Sequence, residues 1–117
     1  MNIEEWKSQI KRGTLEYCIL LRIHQKECYG YELINELEQW PILSAKESTL
    51  YPLLRRLVKE GNCDAYWKDS AEGLPPRKYY RITEQGKEVL KKMDEEWENL
   101  QEAIAEIKGV KPDGKEF

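Results

Sequence analysis

One histidine and three cysteines in 117 residues remove several kinds of chemistry at once. Cys18, Cys28 and Cys63 are odd in number and widely spaced, so they make no disulfide framework and read as buried or incidental thiols. There is no Cys-x-x-Cys pair, and His24 has only Cys18 and Cys28 near it in sequence, which is not the ligand spacing of a metal sensor. No metal and no cofactor is expected. The glycines stand singly, never in a phosphate-cradling loop, and no Ser/His/Asp arrangement occurs, so an enzyme is not expected either. No apolar run approaches the roughly 20 residues that span a bilayer. The opening "MNIEEWKSQI" lacks the basic, apolar and small-residue order of a signal peptide. These absences describe a soluble, cytoplasmic protein without a membrane partner. The length fits one domain with an added element at one end, and its core is small enough that an oligomer interface would add stability.

The net charge of −3 argues at first against nucleic acid, but the charge is unevenly spread. Residues 1–43 carry −2, residues 44–81 carry +3, and residues 84–108 carry −4. The basic third is the middle one.

Apolar spacing predicts a helix from about Ile3 to Gln25, with Gly13-Thr14 as a weak point where it bends. A second helix, about Tyr29 to Gln39, buries Leu33, Ile34 and Leu37 and is ended by Pro41. "SAKE" (44–47) has the form of a capping box, which predicts a third helix over Ala45 to Glu60 with Gly61 as its left-handed stop. On this helix Leu50, Leu54, Leu57 and Val58 share one face. Ala45, Ser48, Thr49, Pro52, Arg55, Arg56 and Lys59 share the other, and Tyr51 sits on the boundary. "CDAYWK" (63–68) and "RKYYRIT" (77–83) suit two strands joined by the turn-forming "DSAEGLPP". Thr83 caps a last helix from Glu84 to about Lys108, followed by a loose polar tail.

The fold class is therefore mainly α with a small β-hairpin: a winged helix-turn-helix over residues 1–83, a C-terminal dimerisation helix over 84–109, and a flexible tail over 110–117. In such a motif the second helix of the pair enters the major groove, N-terminal residues first. That makes Ala45, Lys46, Ser48, Thr49, Tyr51, Pro52, Arg55, Arg56 and Lys59 candidate contacts to double-stranded DNA. Whether Arg55 and Arg56 meet bases or phosphates is left open. Arg77 and Lys78, at the base of the wing tip, are placed to reach backbone or minor groove. Two basic elements in one winged unit favour DNA over the alternative, a winged helix kept as a protein-interaction module without sequence-specific binding.

The wording "YGYELINEL" (29–37), "STLYPLLRRLVKEG" (48–61) and "YWKDSAEGLPPRKYYRITEQGKEVL" (66–90) resembles the PadR family of bacterial transcriptional regulators, its short-tailed subgroup in particular. The resemblance runs from about residue 13 to residue 107. It implies a homodimeric repressor on palindromic promoter DNA, released by a small aromatic or planar compound. Two departures stand out: Ser48 where the family usually has glycine, and Asn62-Cys63 for a usually apolar pair, which would loosen the wing.

The last helix speaks for a homodimer independently. Leu90, Met93, Trp97, Leu100, Ile104 and Ile107 follow steps of three and four, a heptad seam. At about two and a half heptads the seam is short of a self-sufficient coiled coil, so a partner's first helix is expected to complete it. The dimer-interface candidates are those six residues with Trp6 and Ile10. Paired Trp97 indoles fill a tight seam poorly, which predicts a gap walled by Trp97, Met93 and Leu100. A planar aromatic ligand fits such a gap, and the resemblance implies the same use of a tryptophan in the last helix. The other reading packs Trp97 against the partner's first helix, near Trp6 and Ile10.

Overall fold

A computed structural model describes residues 1–112. Helix α1 (Ile3–Gln25) is started by Asn2, whose side-chain oxygen accepts from the Glu4 amide at 2.8 Å. Glu4 and Glu5 lie in the first turn, where the helix dipole favours anions. The helix continues unbroken through Gly13-Thr14, where the Thr14 hydroxyl donates to the Ile10 carbonyl at 2.7 Å. Leu15, Ile19, Leu20 and Ile23 form its buried stripe.

A two-residue strand, β1 (Cys28–Tyr29), leads directly into α2 (Gly30–Leu37). Sequence periodicity assigned Tyr29 to the helix and missed this strand. β1 pairs with β3 (Arg77–Ile82), which pairs with β2 (Cys63–Lys68), all antiparallel, so the wing is the outer part of a three-stranded sheet ordered β1-β3-β2. Tyr80 stands opposite both Cys28 and Ala65 and is buried. Tyr79 stands opposite Tyr29 and Tyr66 on the other face. There the rings of Tyr29, Tyr79 and Tyr66 lie side by side, with Arg77, Lys68 and Arg81 set over them at 4.5, 5.1 and 5.0 Å. This layer stiffens a sheet that would otherwise be a marginal hairpin.

The capping-box expectation is corrected. Pro41–Leu43 form a 3-10 turn, and Ser44 ends that turn instead of starting a helix. α3 spans Glu47–Lys59, with Lys46 at its cap and no capping side chain. Ala45 and Lys46 thus precede the helix. The Ser44 carbonyl accepts from Lys11 Nζ at 2.7 Å, which ties the turn to α1. Gly61, at φ 81°, closes α3 as expected: its amide bonds the Val58 carbonyl at 3.0 Å and the Asn62 amide bonds that of Leu57 at 2.8 Å. Leu50, Leu54 and Leu57 meet the stripes of α1 and α2 in the core with Leu33, Leu37, Tyr80 and Leu90. Truncating one of these leucines to alanine costs about 2–5 kcal/mol. Arg22 and Glu36 join α1 to α2 through two bonds, of 2.5 and 2.8 Å.

At the wing root Asn62 and Cys63 are both buried, and Asn62 accepts on its side chain from Gln85 and on its carbonyl from the Thr83 amide. Burial pushes the Cys63 thiol up to about 11 and that of Cys28 to about 12. α4 (Glu84–Lys108) starts on the Thr83 hydroxyl and ends at Gly109, whose left-handed turn bonds Val110 back to Ala105. Residues 113–117 of the expected tail lie outside the described residues. Among the described residues no helix is long and apolar enough to cross a membrane.

Candidate nucleic-acid interface

α3 displays an exposed ridge, and helical spacing divides it. Ser48, Pro52, Arg55 and Lys59 stand along its crest, all exposed. Thr49 and Arg56 share the flank toward α1; Tyr51 occupies the opposite flank, toward the wing. Pro52 has no amide hydrogen, so the Ser48 carbonyl on the crest has no partner four residues on.

The two arginines left open by sequence part company. Arg56 donates to Glu60 at 3.1 Å and lies 3.8 Å from Glu16 on α1, and these carboxylates hold its guanidinium pKa above the ordinary value. Arg55 has no carboxylate within 4.0 Å among the described residues, nor have Arg77 and Lys78. These three line one cleft of about 590 Å³ between α3 and the wing, together with Tyr29, Gly30, Tyr31, Tyr51, Trp67 and Tyr80. Among the described residues no acidic side chain lines it. Gly30 is needed here, because a Cβ on it would lie 2.5 Å from the Tyr51 ring. Burial, then the nearby Glu47, raises the Tyr51 hydroxyl pKa. Lys59 stands alone at the far end of the crest.

Tyr29, Tyr31 and Trp67 are site residues that the sequence reading did not pick out. The signal for Trp67 was present, because pairing the two wing strands sets it opposite Lys78. Trp67 is 69% exposed and Tyr31 54%.

The candidate dimer seam divides as well. Leu90, expected at the interface, is buried in the core of its own chain. Met93 and Trp97 are half-buried against α1, with the Trp97 ring centre 6.0 Å from that of Tyr17. The Tyr17 hydroxyl donates to Asp94 at 2.5 Å and is pushed up to about 12, first by burial and then by that bond. Leu100, Ile104 and Ile107 remain exposed. Between α1 and α4 lies an apolar groove of about 600 Å³, with Trp6, Ile10, Met93, Trp97, Leu100 and Ile104 in its walls and Glu96 at its side. The structure thus sets Trp97 with Trp6 and Ile10 of the same chain.

A three-helix unit with a sheet wing, a basic crest and a basic cleft beside the wing defines a winged helix-turn-helix regulator of the DNA-binding class. The match to known sequences is more particular. Residues 19–92 fit the transcriptional regulator PadR-like family, and the chain belongs to that family. An uncharacterized protein of Lysinibacillus sphaericus is 41% identical over 100 residues, covering 84% of this chain and 91% of that one. A PadR family transcriptional regulator from Eggerthella lenta superposes with a TM-score of 0.79 at 30% identity, over 90% of each chain. A PadR-like transcriptional regulator from Bacillus cereus gives 0.78 at 37% identity, over 88% of this chain and 99% of its own. The family is one of transcriptional regulators.

Proposed function

We propose that this chain is a homodimeric repressor that leaves a palindromic operator when a small planar aromatic compound binds. The observation that carries the DNA reading is the gathering of Arg55, Arg77 and Lys78, all without carboxylate partners among the described residues, beside the exposed crest of α3. Free cations on one side of a fold are what a polyanion needs, since each neutralised phosphate releases a counterion. On this reading Ser48 and Thr49 reach base edges while Arg77 and Lys78 hold the backbone.

Dimerisation is supported by the apolar residues that α4 leaves uncovered: Leu100, Ile104 and Ile107 are 49%, 43% and 86% exposed. A second copy burying them would complete the seam, with residues 1–83 as DNA-binding unit and 84–109 as dimerisation helix. Ligand release is supported by the groove lined by Trp6 and Trp97, which offers a planar molecule two indoles and, from Glu96, a carboxylate suited to a cationic one. A ligand there changes the spacing of the two winged units and hence their fit to DNA.

The test separates holding from reading. Arg77→Ala and Lys78→Ala are expected to weaken binding to all duplexes alike and to reduce the salt slope by about 0.9 for each phosphate left without its cation. Thr49→Ala is expected to change sequence preference with little change in slope. If all three leave slope and preference untouched, the assignment fails. For the ligand, indole quenching by planar aromatics is expected to weaken in Trp97→Phe and Trp97→Ala; quenching at unchanged affinity in both removes Trp97 from the site.

A further inference from the structure

We infer that the cleft between α3 and the wing is a clamp for one sugar–phosphate strand, that Arg55 binds the DNA backbone rather than reading a base, and that Arg56 makes no DNA contact. This rests on the DNA-binding reading above and adds to it a division of labour between two adjacent arginines.

One sugar–phosphate strand separates each major groove from the neighbouring minor groove. A helix seated in the first and a wing in the second straddle that strand, so it has to run through the space between them. In this fold that space is the cleft of about 590 Å³. A strand passing there presents phosphate charge and the apolar edges of deoxyribose, and the cleft matches both. Arg55 comes from α3, and Arg77 and Lys78 come from β3, so cations meet the strand from both sides. The exposed faces of Trp67 and Tyr31 offer flat apolar surface to the sugars.

Charge pairing decides between the arginines. Arg55 has no carboxylate within 4.0 Å among the described residues, so a phosphate displaces only water from it. Arg56 is held at 3.1 Å by Glu60 and 3.8 Å by Glu16. A phosphate recruiting Arg56 has to break those pairs and approach two carboxylates. Arg77 is pre-set by Tyr29, whose ring lies 4.5 Å from its guanidinium, so little side-chain freedom is given up on binding.

The test is a duplex recovered by selection from a random-sequence pool, remade with a neutral methylphosphonate at one phosphate at a time. One phosphate per half-site is expected to weaken the native protein about tenfold when neutralised. At that position Arg55→Gln and Lys78→Gln are expected to show less than about a twofold further weakening, because the charge they would answer is already absent. Arg56→Gln is expected to reproduce the native profile. Equal penalties for native and Arg55→Gln at every position, with selective binding intact, overturn the clamp and leave the DNA reading standing. A coupled phosphate that answers to Arg56 alone overturns the assignment of the two arginines. If the pool yields no preferred duplex, the DNA reading fails and the clamp with it.

Discussion

Gly86→Ala and Gly13→Ala, the same change in two helices, are expected to move stability in opposite directions. Gly86 sits in the first turn of α4, where its amide donates to the capping Thr83 hydroxyl at 3.0 Å. A Cβ there would lie 2.0 Å from the Asn62 carbonyl oxygen and 2.7 Å from a γ-carbon of Ile82. Backbone cannot rotate out of the way, so α4 and the wing root have to separate. That separation strains the bond from the Thr83 amide to Asn62 and the bond from Gln85 to the Asn62 side chain, 3.1 and 3.0 Å long. Two such bonds are worth about 1 kcal/mol each, and overpacking adds about 1–3 kcal/mol. The better helix propensity of alanine returns about 1 kcal/mol. The net destabilisation is about 2–4 kcal/mol, or a urea midpoint lower by about 1–2 M, measured at one fixed protomer concentration. Gly13→Ala meets nothing within 4 Å among the described residues and is expected to raise stability by up to about 1 kcal/mol. Because Gly13 lines the α1–α4 groove, a second copy seated there would reverse that sign at high concentration. An unchanged or raised midpoint for Gly86→Ala would refute the account of the wing root.

Gly30→Ala is expected to swing the Tyr51 ring out of its place, since the ring tip yields more easily than backbone, and to lower DNA affinity severalfold in electrophoretic titration with a midpoint shift under about 1 kcal/mol. An unaffected affinity would remove Tyr51 from the interface. The Tyr17 hydroxyl, up at about 12 in the folded chain against about 10 unfolded, contributes stability that is present below about pH 10 and lost as pH rises toward 12. Tyr17→Phe is expected to flatten that alkaline limb in pH-dependent unfolding; an identical limb contradicts the Tyr17–Asp94 bond. Cys28 and Cys63, buried with raised pKa values, are expected to react with a thiol reagent at pH 8 only after unfolding, while half-buried Cys18 reacts first.

Element type and order were legible because the apolar spacing of α1, α3 and α4 is long and regular, and because Gly61 and Thr83 mark ends by their own chemistry. Two residues of β1 are too few for a period of two to register, so the third strand shows only in the pairing of Cys28 and Tyr29 with Tyr80 and Tyr79. Ser44 and Glu47 match a capping box letter for letter, but Pro41 starts a 3-10 turn that takes Ser44 with it. The basic face of α3 was legible as a face, and half of the difference between Arg55 and Arg56 was legible too, because Glu60 follows Arg56 by four residues. The other half rests on Glu16, distant in sequence and brought alongside only by the packing of α1 on α3. For the same reason the seam of α4 read as uniform. Leu90 meets the core of its own chain while Ile107 meets solvent, and a heptad pattern contains nothing to tell them apart.

Footprinting on a selected duplex, with the mass of the complex measured alongside, shows whether the crest of α3 and the wing bind DNA as a symmetric pair. Two chains per duplex and two protected half-sites related by a two-fold axis are expected, their centres about one helical turn, roughly 34–36 Å, apart on one side. Protection of a single asymmetric half-site by one chain, or protection with no preference for sequence, would contradict binding as a symmetric pair.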